Sequence, residues 1–130
     1  MSIYYTQTTG NQEVKSPQFV DMEGLQLVLP PKRNGQTEAL IMLNVPMPYA
    51  EGNNFPGITF GLAYNGMNVA SGGFTYSQRT PESFARQPVT LIAKVDLVNG
   101  ENSTVQAQWQ NVRDSIGRID SFASLSAIVS

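Results

Sequence analysis

The sequence contains neither cysteine nor histidine. Without cysteine there can be no disulfides, no thiolate metal sites and no thiol nucleophile. Without histidine the commonest general base and the commonest metal ligand are both missing, and a Ser-His-Asp arrangement cannot form. The fold must therefore be stabilised by packing, and we expect neither a metal ion nor a cofactor.

Charged residues and long apolar runs are also scarce. The 130 residues include 8 basic and 10 acidic side chains, for a net charge of −2, which gives no basic surface for phosphates and no polybasic anchor. No window approaches the ~18 apolar residues of a membrane helix, and the first residues lack the pattern of a secretory signal. We expect a soluble protein without nucleic-acid partners or membrane insertion, acting outside the cell if it is exported by a route not visible in the sequence.

Apolar and polar residues alternate along several segments, which is the period of a strand with one buried face. Such segments are 38–45, 90–97, 104–110 and 122–129. Three Asn-Gly pairs lie between such runs and predict chain reversals, and the pair Asn65-Gly66 predicts a hairpin joining residues 57–64 to 67–75. About eight to ten short strands without helical periodicity predict one all-β domain over residues 1–130, an antiparallel sandwich or jelly roll.

The segment from residue 44 to residue 86 combines turns with clustered polar side chains. Pro46, Pro48 and Pro56 cannot donate to a sheet ladder, so we expect a surface loop or a sheet edge there. Hydroxyl, aromatic, carboxylate and guanidinium groups follow closely in Thr75, Tyr76, Glu82, Ser83 and Arg86. These groups supply hydrogen-bond donors, acceptors and flat faces without a catalytic imidazole, which favours holding a sugar over transforming one.

Each of these residues also has an ordinary structural interpretation. Surface arginines commonly form ion pairs, strand tyrosines pack within sheets, and hydroxyl groups near turns bond to local backbone. The only tryptophan, Trp109, alternates with apolar neighbours and is predicted to lie in the core. Glu82 and Asp120 are two carboxylates of the kind that a glycosidase uses, although nothing in their spacing requires that role.

Three stretches of the sequence, 43–58, 73–86 and 108–128, carry a family likeness. They resemble the family of fucose-binding lectin domains with a tumour-necrosis-factor-like (TNF-like) fold, as in the N-terminal domain of a bacterial superlectin from Burkholderia. The likeness runs from Phe19 to Ile128 and includes the uncommon string PYA-x-GNNFPG.

This resemblance implies a TNF-like jelly roll that assembles as a homotrimer and binds fucosylated, H-type-like host glycans without calcium at sites between subunits. It implies that one subunit contributes Thr75, Tyr76 and Arg113, and that the next contributes Tyr49, Ser83 and Arg86. It places Glu82 and Asp120 near the extended glycan. A trimeric structural component without sugar binding is the alternative, since a fold alone does not prove a function.

The sequence departs from the family pattern at two further positions, Thr59 and Phe84. Thr59 stands where the family has a tyrosine, which removes an aromatic platform for a second sugar unit. Phe84 stands where the family has a threonine that contacts sugar, so an apolar ring replaces a hydroxyl group. We therefore expect fucose recognition to be kept while the preference among oligosaccharides changes.

Overall fold

The computed structural model describes residues 1–130 and contains no helix, as the alternating pattern predicts, and eleven β-strands, slightly more than the eight to ten expected. The strands are β1 (Ser2–Gln7), β2 (Gln12–Val14), β3 (Val20–Leu29), β4 (Glu38–Val45), β5 (Pro48–Glu51), β6 (Gly57–Tyr64), β7 (Met67–Thr75), β8 (Val89–Asp96), β9 (Ser103–Val112), β10 (Ile116–Ile119) and β11 (Ser124–Val129). The structure has no helix with the length and apolarity needed to cross a bilayer.

The strands form two four-stranded sheets and one three-stranded sheet, and every pairing between them is antiparallel. The first sheet has the order β1-β11-β4-β8 and the second has the order β3-β9-β6-β7. Their facing side chains supply most of one core of 26 buried residues, to which the small sheet adds Val14, Ala50 and Ile119. The predicted antiparallel sandwich is confirmed, and its architecture is jelly-roll-like.

Trp109 lies in this core, as predicted. It is 2% exposed and stacks on Phe60, with ring centroids 6.1 Å apart and an interplanar angle of 28°. Along the middle of β9 the buried Val105, Ala107 and Trp109 alternate with half-buried glutamines, as expected for a strand with one face in the core. A stacked aromatic pair at this place adds to the hydrophobic stabilisation between β6 and β9.

The hairpin of β6 and β7 has the predicted strand limits. Asn65 and Gly66 both have positive φ, 50° and 83°, as a two-residue type I′ turn requires. At the other end of the hairpin, a Cβ on Gly57 would overlap the carbonyl oxygen of Phe74, and one on Gly73 would overlap that of Ile58. The two strands therefore depend on glycine where their backbones approach most closely.

The small sheet has the order β2-β10-β5, and the proline-rich segment forms its β5 edge. Its three strands are connected by Arg118 of β10, which pairs with Glu51 of β5 at 2.8 Å and with Glu13 of β2 at 3.1 Å. Strands of three or four residues bury little apolar surface, so this ion-pair network helps to hold them in register.

The outward side of the first sheet carries an apolar area beside polar residues such as Ser126 and the ion pair of Lys94 with Glu38. In its register Ile3 pairs with Ile128, which pairs with Leu40, and the neighbouring row includes Tyr5, Met42 and Ile92. Ile3 is 74% exposed and Ile92 is 54% exposed. We call these six residues the outer apolar face. Contiguous apolar surface of this kind is uncommon on soluble monomers and typically marks an interface.

Candidate functional site

Residues 76–88, between β7 and β8, form a loop that lies across β5, and we call it the site loop. Thr80 fixes it there: its hydroxyl donates to the Ala50 carbonyl at 2.6 Å and accepts from the Gly52 N–H at 2.9 Å. The backbone N–H of Thr80 also donates to the Gly52 carbonyl at 2.9 Å. These bonds position the remainder of the loop against Tyr49 of β5.

Arg86 is the centre of this contact. Its Cζ lies 4.0 Å from the centroid of the Tyr49 ring, in cation–π geometry, and its Nη2 forms an ion pair with Asp120. Its Nη1 donates to the backbone carbonyl of Phe84, whereas its buried Nε has no hydrogen-bond partner. The guanidinium is thus held in one orientation while some of its N–H groups remain unused.

Two more aromatic rings complete this group. The Phe84 ring stands almost perpendicular to the Tyr49 ring, with centroids 5.7 Å apart and an interplanar angle of 78°. The side chain of Tyr76, the first residue of the site loop, is buried, and its hydroxyl donates a hydrogen bond to the carbonyl of Ala85. We name the set Tyr49, Tyr76, Phe84, Arg86 and Asp120 the arginine cluster.

The electrostatics of the cluster keep the Tyr76 hydroxyl in its neutral, donating form. Burial raises the pKa of Tyr76 above its ordinary value of 10.0, while a hydrogen bond from the Ala50 backbone and the charge of Arg86 act in the opposite direction. A protonated tyrosine at neutral pH can keep its bond to the site loop.

Arg113 lies at a different place, in the tight turn between β9 and β10. Arg113 and Asp114 both have positive φ, 53° and 57°, although neither is glycine or asparagine. The turn directs the Arg113 guanidinium to Phe55: Nη1 donates to the Phe55 carbonyl at 3.1 Å, and Cζ lies 5.6 Å from the ring centroid. Strained backbone of this kind persists where surrounding structure enforces it, and it is common at binding sites.

A shallow groove of about 500 Å³ runs along the outer side of β6, β7 and β9. We call it the glycine groove, and its lining residues are Thr59, Ser71, Gly72, Gly73, Phe74, Thr75 and Val112. Thr75 is exposed in this groove, whereas Tyr76, the next residue, is buried in the arginine cluster. The end of β7 therefore presents two consecutive predicted site residues on opposite sides.

The structure brings some predicted residues together within one chain and separates others. Tyr49, Tyr76, Phe84, Arg86 and Asp120 meet in the arginine cluster. Thr59 and Thr75 line the glycine groove, and Arg113 contacts Phe55. Glu82 and Ser83 are exposed on the site loop. The Asp and Glu side chains form no group of three or more that could hold a metal ion.

Two residues that position the site, Thr80 and Phe55, were not identified from the sequence. Thr80 fixes the site loop through bonds to residues 28 and 30 positions earlier in the chain, and no local pattern signals such pairings. Phe55 has a φ of 49°, an unusual value for an aromatic residue, and its exposed ring and carbonyl receive Arg113. The neighbouring prolines predict a loop there, without indicating which side chain it presents.

The fold and the cluster together define an all-β sandwich protein whose loops hold an oriented arginine beside aromatic rings. The chain belongs to the family described as Bc2l-C, N-terminal domain, whose family model matches residues 4–128.

Solved structures with a similar fold share little sequence with this chain. The C-terminal domain of EclA, described as a sugar-binding protein, has a TM-score of 0.51 at 15% identity, and the match covers 90% of this chain and 78% of that one. The insecticidal delta-endotoxin Cry8Ea1 from Bacillus thuringiensis gives 0.43 at 13% identity, covering 92% and 19%. Eiger TNF from S. frugiperda gives 0.40 at 12% identity, covering 97% and 92%. No curated protein matches the chain. The EclA likeness supports the sandwich fold described above.

Proposed function

We propose that this chain is a lectin that binds fucose and fucosylated, H-type-like glycans without calcium, at sites shared between the subunits of a homotrimer. The observation that carries the proposal is the arrangement of Arg86, which Tyr49 and Asp120 hold in place while its side chain stays 25% exposed. A guanidinium has five N–H donors, of which two are bonded here, so donors remain for the hydroxyl groups of a sugar.

The neighbouring rings supply what a sugar needs besides hydrogen bonds. The C–H faces of a pyranose pack on aromatic rings, and Tyr49 and Phe84 stand next to the guanidinium. Hydrogen bonds that involve a charged partner contribute roughly 1.5 to 3 kcal/mol each, so a few such bonds account for a weak monosaccharide site. Arginine and hydroxyl donors need no bound ion, which is why we expect binding to be independent of calcium.

The positions of Thr75 and Arg113 favour a site that is completed by a second subunit. In one chain Thr75 faces the glycine groove and Arg113 contacts Phe55, apart from the arginine cluster. A trimer can bring Thr75 and Arg113 of one subunit to Tyr49, Ser83 and Arg86 of the next. The outer apolar face supports such assembly, since a second copy would remove this surface from water. Three weak sites would then gain affinity through multivalency.

A glycan array of fucosylated and unfucosylated structures, read with and without chelator, tests the function. We expect binding to fucosylated glycans that excess chelator leaves unchanged. We also expect little change between about pH 5 and 8, because the chain has no histidine to titrate there.

The alternative function is a structural trimeric component, which the outer apolar face favours equally. That function predicts a trimer without sugar selectivity on the same array. Loss of binding in chelator would instead contradict the arginine-based site.

A further inference from the structure

We infer that Phe84 is a specificity-determining residue whose exposed ring receives the C5 methyl group of the sugar, so that the site selects 6-deoxy sugars. This inference rests on the proposed function and deepens it. Phe84 is 47% exposed although it is a large apolar residue, and its ring is fixed by the edge contact with Tyr49. An exposed ring held in one place offers apolar area at a low entropic cost of binding.

The backbone at Phe84 indicates that this exposure is enforced. Its φ is 51°, in the left-handed region that bulky residues rarely adopt. Its N–H donates to the Pro81 carbonyl at 2.9 Å and its own carbonyl accepts from Arg86. These two hydrogen bonds hold Phe84 in an unfavourable backbone conformation. Backbone strain of this kind is typically retained at ligand sites.

The position of the ring relative to the donors then decides which part of a sugar it can contact. Tyr49 and Phe84 form a nearly right-angled apolar corner, and the guanidinium of Arg86 covers the Tyr49 ring. A ligand that uses its hydroxyl groups on Arg86 turns a neighbouring apolar substituent to that corner. In 6-deoxy sugars this substituent is a methyl group, whereas a hydroxymethyl group would lose water from its hydroxyl without gaining a partner.

Three sugars with the same arrangement of ring hydroxyls test this inference by titration calorimetry. L-fucose carries the methyl group, D-arabinose lacks it, and L-galactose carries a hydroxymethyl group instead. For the wild type we expect fucose to bind about four-fold more tightly than arabinose, as burial of one methyl group predicts. We expect L-galactose also to bind more weakly than L-fucose.

The key variant is Phe84→Asn, because asparagine tolerates the left-handed backbone and removes the ring. We expect it to bring the fucose-to-arabinose affinity ratio close to one, and Phe84→Leu to retain most of the ratio. Met67→Thr is the matched control, since Met67 is also exposed but lies at the far turn of the β6–β7 hairpin. It should keep the wild-type ratio.

The outcomes separate this inference from the function on which it rests. If the wild type binds fucosides and the ratio is the same in Phe84→Asn, the inference is wrong while the proposed function stands. An equal affinity of the wild type for fucose and arabinose overturns it too. If the wild type binds no fucosylated ligand at all, the proposed function itself fails.

Discussion

Individual arginine side chains have different surroundings in this molecule. Arg86 is constrained on several sides by Tyr49, Asp120 and the Phe84 carbonyl, whereas Arg113 depends on a strained turn and on Phe55. Arg118 belongs to the ion-pair network of the small sheet, where it pairs with Glu51 and Glu13 and lies opposite Tyr49 in the strand register. The same residue type therefore has a ligand-facing role at two positions of our proposal and a structural one at the third.

Replacing Arg86 or Arg113 with alanine should weaken fucose binding by about one to two decades, because each loses charge-assisted bonds of roughly 1.5 to 3 kcal/mol. Calorimetry on both folded variants measures this. Arg33→Ala is a control, because Arg33 pairs with Gln36 in a separate turn. Near-normal affinity in both site variants would show that the site lies elsewhere.

Tyr76 should make the stability of the protein depend on alkaline pH. Since its folded pKa is raised above the ordinary value of 10.0, its contribution is full below about pH 10 and is lost as pH rises through the folded value. The free energy of unfolding should therefore fall more steeply above pH 10 in the wild type than in Tyr76→Phe. Urea denaturation at several pH values measures both slopes.

Lys94 is a second group with a raised pKa, and it contributes to the same pH profiles. The hydrogen bond and charge of Glu38 raise the pKa of Lys94, so its contribution falls with rising pH in the same direction. Both proteins retain Lys94, and its effect cancels in the difference between them. Parallel pH profiles for the wild type and Tyr76→Phe would mean that the pKa of Tyr76 is the same in the folded and the unfolded state.

At the scale of elements, most of the longer strands could be predicted, whereas the short ones and β3, whose alternation a bulge interrupts, could not. The limits of β6 and β7 follow from alternation and from Asn65-Gly66, because each is a local signal. The strands β2, β5 and β10 have only three or four residues, too few to show a period.

The candidate site was predictable in its residue types but not in its pairings. Arg86 and Asp120 are 34 residues apart, and their contact depends on how the site loop crosses β5. The family resemblance named both residues and assigned Asp120 to the extended glycan, a role that stays a prediction. An ion pair between them follows only from the folded geometry.

The site loop should depend on the hydroxyl of Thr80. Thr80→Val keeps the shape of the side chain but removes its bonds to Ala50 and Gly52, which should cost about 1 to 3 kcal/mol of stability. Fucose affinity should also fall, because the loop positions Arg86 against Tyr49. Thr80→Ser should restore both quantities in denaturation and binding measurements. Wild-type affinity in the valine variant would show that the loop is held without this hydroxyl.

At the scale of the whole molecule, the two sides of the sandwich differ in how they meet solvent. The outer apolar face covers part of the first sheet, while the second sheet carries the glycine groove and also exposes apolar side chains such as Val28 and Met67. In our proposal, a trimer formed through the apolar face completes the ligand sites, because each site takes residues from two subunits. Assembly and binding are therefore coupled in our proposal.

Placing a charge on this face should dissociate the trimer and abolish sugar binding together. Ile92→Glu introduces a carboxylate that a buried interface cannot solvate. Val28→Glu is the matched control, because Val28 is 53% exposed on the second sheet and Ile92 is 54% exposed on the first. Sedimentation and fucose titration measure both variants. A stable monomer that binds fucose with full affinity would contradict the shared-site proposal.

The glycine groove combines a position that the fold fixes with positions that evolution can substitute. Its floor includes Gly73, where any side chain would collide with the backbone of β6, so the floor has a fixed shape. Its rim includes Thr59 and Ser71, whose side chains can be exchanged at little cost to folding. In our proposal, new ligand preferences can therefore arise by substitution of these residues while the sandwich beneath them stays the same.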